Sequence, residues 1–349
     1  MSGSWGSRPR VTMTHVIVLA LAAAVVLAAC SGSGTMAATS PGAAAPGEAP
    51  NQDAMPAPAV AGTLAFARVT SADDEGYVMR TGDICLVRAD GTGLTRLDAG
   101  AADEAQPAWS PDGRQIAYTA YRLAGDHRSA VRVMDADGSG KRWLQSALAS
   151  SWPAWSPDGT RIAFAQRARY AGGWAGALGL AVVNADGSGL RELTLTSDPR
   201  VGDRSAAWAP DGRIFFLRVR IGDVLWIDPA GSGPTRVTTG GGHTAFALSP
   251  DGKQLAVFDR EHDHLVLLPA SGGGTAVVLV DDMSRYVPSL SVRMAWSPDS
   301  TAIAFAASSD KSQTSSPAGS ALYIVNADGS GLSVVPNTGK VWDPAWRPE

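Results

Sequence analysis

Histidine is the residue type in this chain that could supply acid–base chemistry, and it is scarce. Beyond residue 30, the 349-residue sequence contains only His127, His243, His262 and His264. His243 follows a run of glycines at 240–242, so we expect it in a loop where a general base could reach a substrate. The G-x-S-x-G nucleophile elbow of α/β-hydrolases does not occur in the sequence. We therefore expect a protein that is not an enzyme.

Two polar segments could be taken for metal sites. In a strand, His262 and His264 would lie on one face, but the preceding Asp259–Glu261 favours a polar loop that leads into a strand. The sequence Asp135-Ala136-Asp137-Gly138 is similar to a calcium-binding loop, yet it lacks the spacing and the closing Glu of an EF-hand. We predict neither a metal nor a cofactor, and we leave metal binding at His262 and His264 as the alternative.

The N-terminal residues have the pattern of an export signal. Arg8 and Arg10 precede an uncharged apolar run, Val16–Ala29, which is too short to span a bilayer comfortably and suits a signal-peptide core. The run ends in Leu27-Ala28-Ala29-Cys30, which resembles the bacterial lipobox, whose cysteine is lipidated and becomes the new N-terminus. We predict a signal peptide over residues 1–29 and lipidation of Cys30. An uncleaved anchor or a plain secretory signal is the alternative.

Residues 30–61 are rich in Ala, Pro, Gly and Ser and have few bulky aliphatic side chains. Such a segment buries too little apolar surface to offset its ordering entropy, so we predict a lipidated, disordered tether. The only cysteine besides Cys30 is Cys85, which lies in the apolar run Ile84–Val87. We therefore predict no disulfide and interpret Cys85 as a small buried apolar residue.

One sequence motif recurs along the rest of the chain. Its first copy reads Pro107-Ala-Trp109-Ser-Pro-Asp-Gly113, and its Trp position returns at Trp155, Trp208, Leu248, Trp296 and Trp346. The intervals between these positions are 46, 53, 40, 48 and 50 residues. Repeats of about 40–50 residues with short strands are typical of β-propeller blades.

The residues that recur in each copy of the repeat predict two tight turns. In Ser-Pro-Asp-Gly, proline presets φ and glycine closes the turn, which favours a hairpin between the strand that ends at Trp and the Ile-Ala-Phe strand after it. A second motif favours a hairpin between a third and a fourth strand. Its first clear copy is Asp135-Ala-Asp-Gly-Ser-Gly140. Each unit is thus predicted to hold four short antiparallel strands.

These two motifs together resemble the TolB-type propeller repeat, a WD-like repeat, over about residues 62–349. The resemblance implies an all-β, six-bladed propeller in the cell envelope, with envelope partners such as a peptidoglycan-associated lipoprotein. The TolB family carries an α/β domain ahead of its propeller, where this sequence has the tether of residues 30–61. We carry over the fold and the compartment from this resemblance, and not that partner.

The copies also predict how the ring closes. The segment Gly62–Arg68 matches strand two of a blade, whereas the C-terminal Pro344-Ala345-Trp346 matches strand one. We therefore predict six blades of four strands, with the first blade completed by pairing of the N- and C-terminal segments, which removes an exposed sheet edge. We interpret the repeat Trp residues as core side chains between neighbouring blades.

Binding in a repeat protein usually uses the face whose loops vary. Here the turns after strands one and three are uniform, whereas the connections after strands two and four differ. Aromatic, Arg and His side chains in these connections are our candidate contacts, because such residues are enriched at interface centres. Between strands two and three they are Tyr121, Arg122, His127, Tyr170 and Trp174, and between blades they are Trp152, Arg204, His243, Arg285, Tyr286 and Trp342.

The sequence thus favours a membrane-anchored, extracytoplasmic propeller that binds an envelope protein or a glycan. A formal net charge of −4 argues against nucleic acid as a partner, and we expect a monomer. Two alternatives remain. One is a sensor or carbohydrate-binding propeller, and the other is a propeller enzyme such as a polysaccharide lyase with His243 at the mouth of its channel.

Overall fold

The described part of the chain consists of short β-strands joined by turns. The structure, a computed structural model, describes residues 60–69, 82–97, 103–121, 129–144, 150–170, 173–194, 201–230, 233–283, 293–308 and 320–349. These residues all lie within one compact unit, Gly47–Glu349. Within those ranges there is no helix with the length and apolarity that a bilayer span requires. Cys30 and most of the predicted tether lie outside the described residues.

The strands follow one another in a regular order. In sequence they are β1 (Thr63–Val69), β2 (Gly82–Arg88), β3 (Thr95–Arg96), β4 (Asp103–Trp109), β5 (Gln115–Tyr121), β6 (Ser129–Asp135), β7 (Arg142–Trp143), β8 (Ser150–Trp155), β9 (Arg161–Tyr170), β10 (Gly173–Asn184), β11 (Arg191–Glu192), β12 (Gly202–Trp208), β13 (Ile214–Val219), β14 (Asp223–Ile227), β15 (Thr235–Arg236), β16 (His243–Leu248), β17 (Gln254–Asp259), β18 (His264–Pro269), β19 (Val277–Val280), β20 (Met294–Trp296), β21 (Ala302–Ser308), β22 (Ser320–Asn326), β23 (Ser333–Val335) and β24 (Val341–Trp346).

The strands form six antiparallel sheets of four strands each, which are the six predicted blades. Blade 1 has the order β24-β1-β2-β3. Blades 2 to 6 each take four consecutive strands, beginning with β4, β8, β12, β16 and β20. The predicted closure is confirmed, because β1 pairs with β24 in a register that sets Leu64 opposite Trp346 and Ala65 opposite Ala345.

The Ser-Pro-Asp-Gly turns form as the sequence predicts. In blade 2, Ser110 Oγ donates to Asp112 Oδ1 at 2.6 Å, and the Gln115 N–H donates back to Ser110 Oγ at 2.9 Å. The same pattern recurs in blade 3, where Asp158 also accepts from Thr160, and these hydrogen bonds lower the pKa of the Asp158 carboxyl to about 2. Each such turn joins the inner strand of a blade to its second strand.

The repeat Trp side chains pack between blades, as predicted. Trp109, Trp296 and Trp346 are at most 7% exposed. Trp109 Nε1 donates to Ala345 O of the preceding blade at 3.2 Å, and Trp296 Nε1 donates to Ala247 O at 3.1 Å. Each such indole therefore ties its blade to the inner strand of the neighbour. Cys85 is buried with only 2% exposure, and burial raises the pKa of its thiol to about 11.

Candidate functional site

The strand directions define two faces of the ring. Inner strands such as β4 and β24 run toward their terminal Trp, so the Ser-Pro-Asp-Gly and Asp-Gly-Ser-Gly turns share one face, which we call the hairpin face. The connections after the second and fourth strands lie on the opposite face, which we call the loop face. The inner strands begin at the loop face, with Asp103, Ser150, Gly202, His243 and Val341 as their first residues in blades 2 to 5 and 1.

Four of the six inner strands have a β-bulge three residues before the repeat Trp. Backbone φ is positive at Gln106 (57°), Trp152 (62°), Ser205 (58°) and Asp343 (53°), which occupy this position in blades 2, 3, 4 and 1. The register of pairing shifts at the same place in blades 2, 3 and 4. A bulge re-aims the side chain that it carries. In blade 6 the equivalent residue is Arg293.

Arg293 lies at the axis of the propeller. Its Nη1 donates to Pro107 O at 3.2 Å and its Nη2 donates to Pro153 O at 3.0 Å, which ties blade 6 to blades 2 and 3. Burial lowers the pKa of its guanidinium to about 10, and the nearby Asp343 carboxylate opposes that shift. On the hairpin side, Arg293 borders a cavity of about 230 Å³ that is also lined by the alanines preceding the six repeat Trp or Leu positions.

Trp152 packs between two arginines near the axis. The Arg293 guanidinium carbon lies 5.3 Å from its ring centroid, and that of Arg204 lies 5.7 Å away. Both distances suit a cation–π contact. Arg204 Nη2 also donates to Thr244 O of blade 5 at 3.3 Å, so this arginine links blades 3, 4 and 5.

A cavity of about 380 Å³ opens on the loop face between blades 4 and 5. Its lining includes Arg204 on β12 and His243 on β16, two of the predicted contact residues. Arg220, Arg260, Glu261 and the apolar Leu217 and Val219 complete most of its wall. This is the place in the described structure where predicted residues from two blades meet at one cavity.

Glycines set the shape of this cavity. Gly222, in the turn between β13 and β14, has φ of 65°, and a Cβ there would approach Gly242 N to 2.6 Å. A Cβ on Gly241 would likewise approach Ile221 O to 2.6 Å. The two loops therefore pack backbone against backbone, and the His243 N–H donates to Gly222 O at 3.1 Å. This close packing places the His243 ring at the wall of the cavity.

Burial favours the neutral form of His243. Burial lowers the pKa of its imidazole, and the Asp259 and Asp223 carboxylates oppose that shift only in part. Its Nδ1 is buried and has no hydrogen-bond partner among the described residues. A buried ring nitrogen without a partner is costly.

Ion pairs bind most carboxylates around the cavity. Arg218 holds Asp203 through two hydrogen bonds of 2.7 and 2.9 Å. Arg236 pairs with Asp223, which also accepts from Gly241 N at 3.2 Å. The described residues that line the cavity include three arginines and the carboxylate of Glu261.

A different carboxyl on the loop face is destabilised by its surroundings. Asp103, the first residue of β4, is 7% exposed. Burial, and secondly the Asp83 carboxylate, raise the pKa of Asp103 to about 6. Asp83 itself is paired with Arg96, whose Nε lies 2.8 Å from Asp83 Oδ2.

The structure corrects the predicted placement of several candidates. Trp152, Arg204, His243 and Trp342 lie in inner strands rather than in connections between blades, because each inner strand begins well before its repeat motif. Trp152 and Trp342 are 6% and 2% exposed, so both underlie the loop face.

The strand two-to-three candidates also shift. Tyr121 ends β5, and Tyr170 and Trp174 lie in β9 and β10, where cross-strand pairing continues from Gly173 opposite Tyr170 to Trp174 opposite Arg169. Aromatic residues favour this extended pairing. The remaining candidates lie outside the described residues, namely Arg122, His127, Arg285 and Tyr286.

The histidine pair at the loop face is a turn followed by a strand, as predicted. His262 lies in the turn before β18 and its Nδ1 is 2.7 Å from Asp259 Oδ2, while its ring stacks on that of His264 at a centroid distance of 5.8 Å. The Asp259 carboxylate raises the pKa of His262. Among the described residues, no group of three His, Cys, Asp or Glu side chains could hold a metal ion.

Three functional candidates escaped the sequence analysis, namely Arg293, Arg220 and Arg260. One signal could have revealed the first. The position three residues before the repeat Trp or Leu differs in every copy of an otherwise uniform motif. In chain order it is occupied by Gln106, Trp152, Ser205, Ala245, Arg293 and Asp343. Arg220 and Arg260 follow the second strands of blades 4 and 5, and only the contact between the two blades brings them together.

Comparison with known proteins agrees with this architecture. The model of the TolB β-propeller domain family matches residues 66–349. TolB from Acinetobacter baumannii is 20% identical, with a TM-score of 0.64 over 82% of this chain and 67% of that chain. Hydrazine synthase from Kuenenia stuttgartiensis is 12% identical, with a TM-score of 0.59 over 83% of this chain and 47% of its own. These likenesses show the fold alone, and no curated protein matches the sequence significantly.

Proposed function

The chain belongs to the TolB β-propeller domain family, and on that premise we propose that it is a non-catalytic binding propeller of the cell envelope. The observation that carries the binding role is the meeting of Arg204 and His243, from neighbouring blades, at one open cavity on the loop face. Ligand sites are usually concave and combine apolar walls with a few placed polar groups, and this cavity has both.

The envelope location is proposed from the N-terminal sequence. The apolar run Val16–Ala29 and the Ala-Ala-Cys sequence that ends at Cys30 support export and lipidation. Residues 31–61 would then connect the lipid to the propeller with an average reach of roughly 30 Å, as a flexible chain of about thirty residues. A protein or glycan of the envelope is the proposed partner.

The binding role is tested by capture of partners from detergent-solubilised membranes with the full chain. Arg204→Gln and His243→Gln should reduce the captured partner, because both side chains line the cavity. Arg114→Gln, which removes an exposed arginine from the hairpin face, is the matched control and should leave capture unchanged. Equal capture by all three variants and the wild type would remove the cavity from the binding surface.

The anchor has an independent test. Cells that express the wild type should incorporate radiolabelled palmitate into this protein, whereas the Cys30→Ala variant should remain unlabelled. Equal labelling of the two proteins would refute lipidation at Cys30.

One observation favours the lyase alternative enough to test it. The neutral His243 imidazole at the cavity wall is in the protonation state that a general base requires. A uronate-containing polysaccharide would then give an unsaturated product that is followed by ultraviolet absorbance. Product formation that disappears in His243→Gln would replace the binding role with catalysis.

A further inference from the structure

The outer strand of each blade is an edge of its sheet. In blades 1 to 4 this strand has two residues, and one of the two is always an arginine. These strands are Thr95–Arg96, Arg142–Trp143, Arg191–Glu192 and Thr235–Arg236. In blade 6 the outer strand β23 is buried along its length. Short edge strands with charged side chains, and edges that are covered, do not pair readily with another chain.

The outer strand of blade 5, β19, has neither protection. It is four residues long and begins with Val277 and Val278, which are 54% and 45% exposed. The next residue, Leu279, is buried, as are the residues that directly follow the outer strands of blades 2 and 4, Leu144 and Val237. The two valines therefore occupy the positions that hold an arginine-containing pair in blades 1 to 4.

This edge is uncharged and regular. The sequence has no Asp, Glu, Lys or Arg from His264 to Val280, and the residues Thr275–Val278 are all exposed. The two valines pair with β18 without a shift in register, opposite Leu267 and Val266. An edge strand carries backbone N–H and C=O groups on its outer side, and no strand in the described part of the chain pairs with that side of β19.

We propose that β19 pairs in antiparallel fashion with β19 of a second copy of this chain, so that two blades join into one eight-stranded sheet. A two-fold axis through the strand brings the exposed valines of the two copies together, and β-branched residues in cross-strand positions stabilise a sheet. The antiparallel direction also keeps Asp281, which follows β19, at opposite ends of the pair. Two identical edges cover each other, whereas a single foreign strand would leave an outer edge of its own.

The contact is small, so the dimer should be weak and reversible. Four residues of a strand span roughly 13 Å, whereas a stable interface buries roughly 1,200–2,000 Å² in total. The dimer should therefore form at high local protein concentration, which differs from the monomer expected from the sequence. Attachment of many copies to one membrane through Cys30 would supply such a concentration. The pairing does not depend on the cavity between blades 4 and 5.

The pairing is tested by cross-linking of the full chain in membranes of cells that express it. Val277→Cys and Val278→Cys, treated with a short bismaleimide, should each give a product of twice the mass of the chain. Leu190→Cys is the matched control, because Leu190 is 41% exposed beside the outer strand of blade 3, and it should give no such product. The wild type measures the background, which should be low because Cys85 is buried and the pKa of its thiol is raised to about 11.

A charge placed on the edge shows whether the two strands pair. Val278→Lys added to Val277→Cys brings like charges of the two copies together and should lower the yield of the dimer about tenfold. Leu190→Lys in the same background adds the same charge elsewhere and should leave the yield unchanged. Both valines are about half exposed, so the fold should survive, and circular dichroism verifies that it does.

Three results would overturn the proposal. One is the absence of a dimer from both valine variants, and another is a yield from Leu190→Cys equal to theirs. The third is a yield that Val278→Lys leaves unchanged. A cross-linked product with a different protein, and none between two copies, would also overturn it and would identify a foreign chain as the occupant of the edge.

Discussion

The buried carboxyl of Asp103 should make the stability of this propeller fall with rising pH. Its pKa is raised to about 6 by burial and by Asp83, whereas an aspartate in an unfolded chain has a pKa of about 3.9. A raised pKa in the folded state means that folding takes up a proton. The contribution of Asp103 to stability is therefore fully present below about pH 4 and is lost as the pH rises through about 6.

The magnitude follows from the size of the shift. A shift of about two pKa units corresponds to about 3 kcal/mol between the fully protonated and fully ionised states. Between about pH 4.5 and about pH 7.5, the loss is about 2 kcal/mol. Asp103→Asn keeps the shape of the side chain and removes this titration. The variant should therefore gain about 2 kcal/mol relative to the wild type as the pH rises from about 4.5 to about 7.5.

Urea unfolding of both proteins at the two pH values measures this difference. Asp158→Asn is a suitable control, because the pKa of Asp158 is lowered to about 2 by its hydrogen bonds. Its contribution to stability is lost only as the pH falls through about 2, so this variant should be less stable than the wild type by a similar amount at both pH values. If Asp103→Asn changes the free energy of unfolding equally at both pH values, the argument for Asp103 is wrong.

Three further predictions concern packing. Trp296→Phe should cost about 1 kcal/mol more in urea unfolding than Trp155→Phe, because the Trp296 indole donates to the preceding blade whereas Trp155 Nε1 has no acceptor among the described residues; equal costs would contradict this role. Trp346→Ala should cost about 3–5 kcal/mol and should speed hydrogen exchange in β1 before other strands. Equal acceleration of hydrogen exchange in all strands would contradict a local opening of the β1–β24 pairing. Arg293→Met should destabilise by about 3–5 kcal/mol, and the double variant with Asp343→Asn should recover part of that loss; simple additivity would show that the two side chains are uncoupled.

The blade count and the closure could be predicted because both depend on local chemistry that repeats. Each Ser-Pro-Asp-Gly motif specifies its own turn. In blade 2 the turn is stabilised by the local hydrogen bond between Ser110 and Asp112. The match of Gly62–Arg68 to a second strand and of Pro344–Trp346 to a first strand was enough to join the ends.

The contents of the site could be predicted only in part. Arg204 and His243 were recognised by residue type, but their contact across blades 4 and 5 depends on the backbone packing of Gly222 against Gly242. Arg293 was missed because its role depends on carbonyl groups that belong to two other blades. Packing between blades depends on contacts that are distant in the sequence. A repeat motif predicts only the local structure of each blade.

The pairing of β1 with β24 brings the entry and the exit of the ring to the same side. Thr63 O accepts from Arg347 N at 2.8 Å, beside the Trp346 end of the inner strand. A label, a resin linker or a fused partner attached beyond Thr63 or Arg347 would therefore project from the side opposite His243 and its cavity.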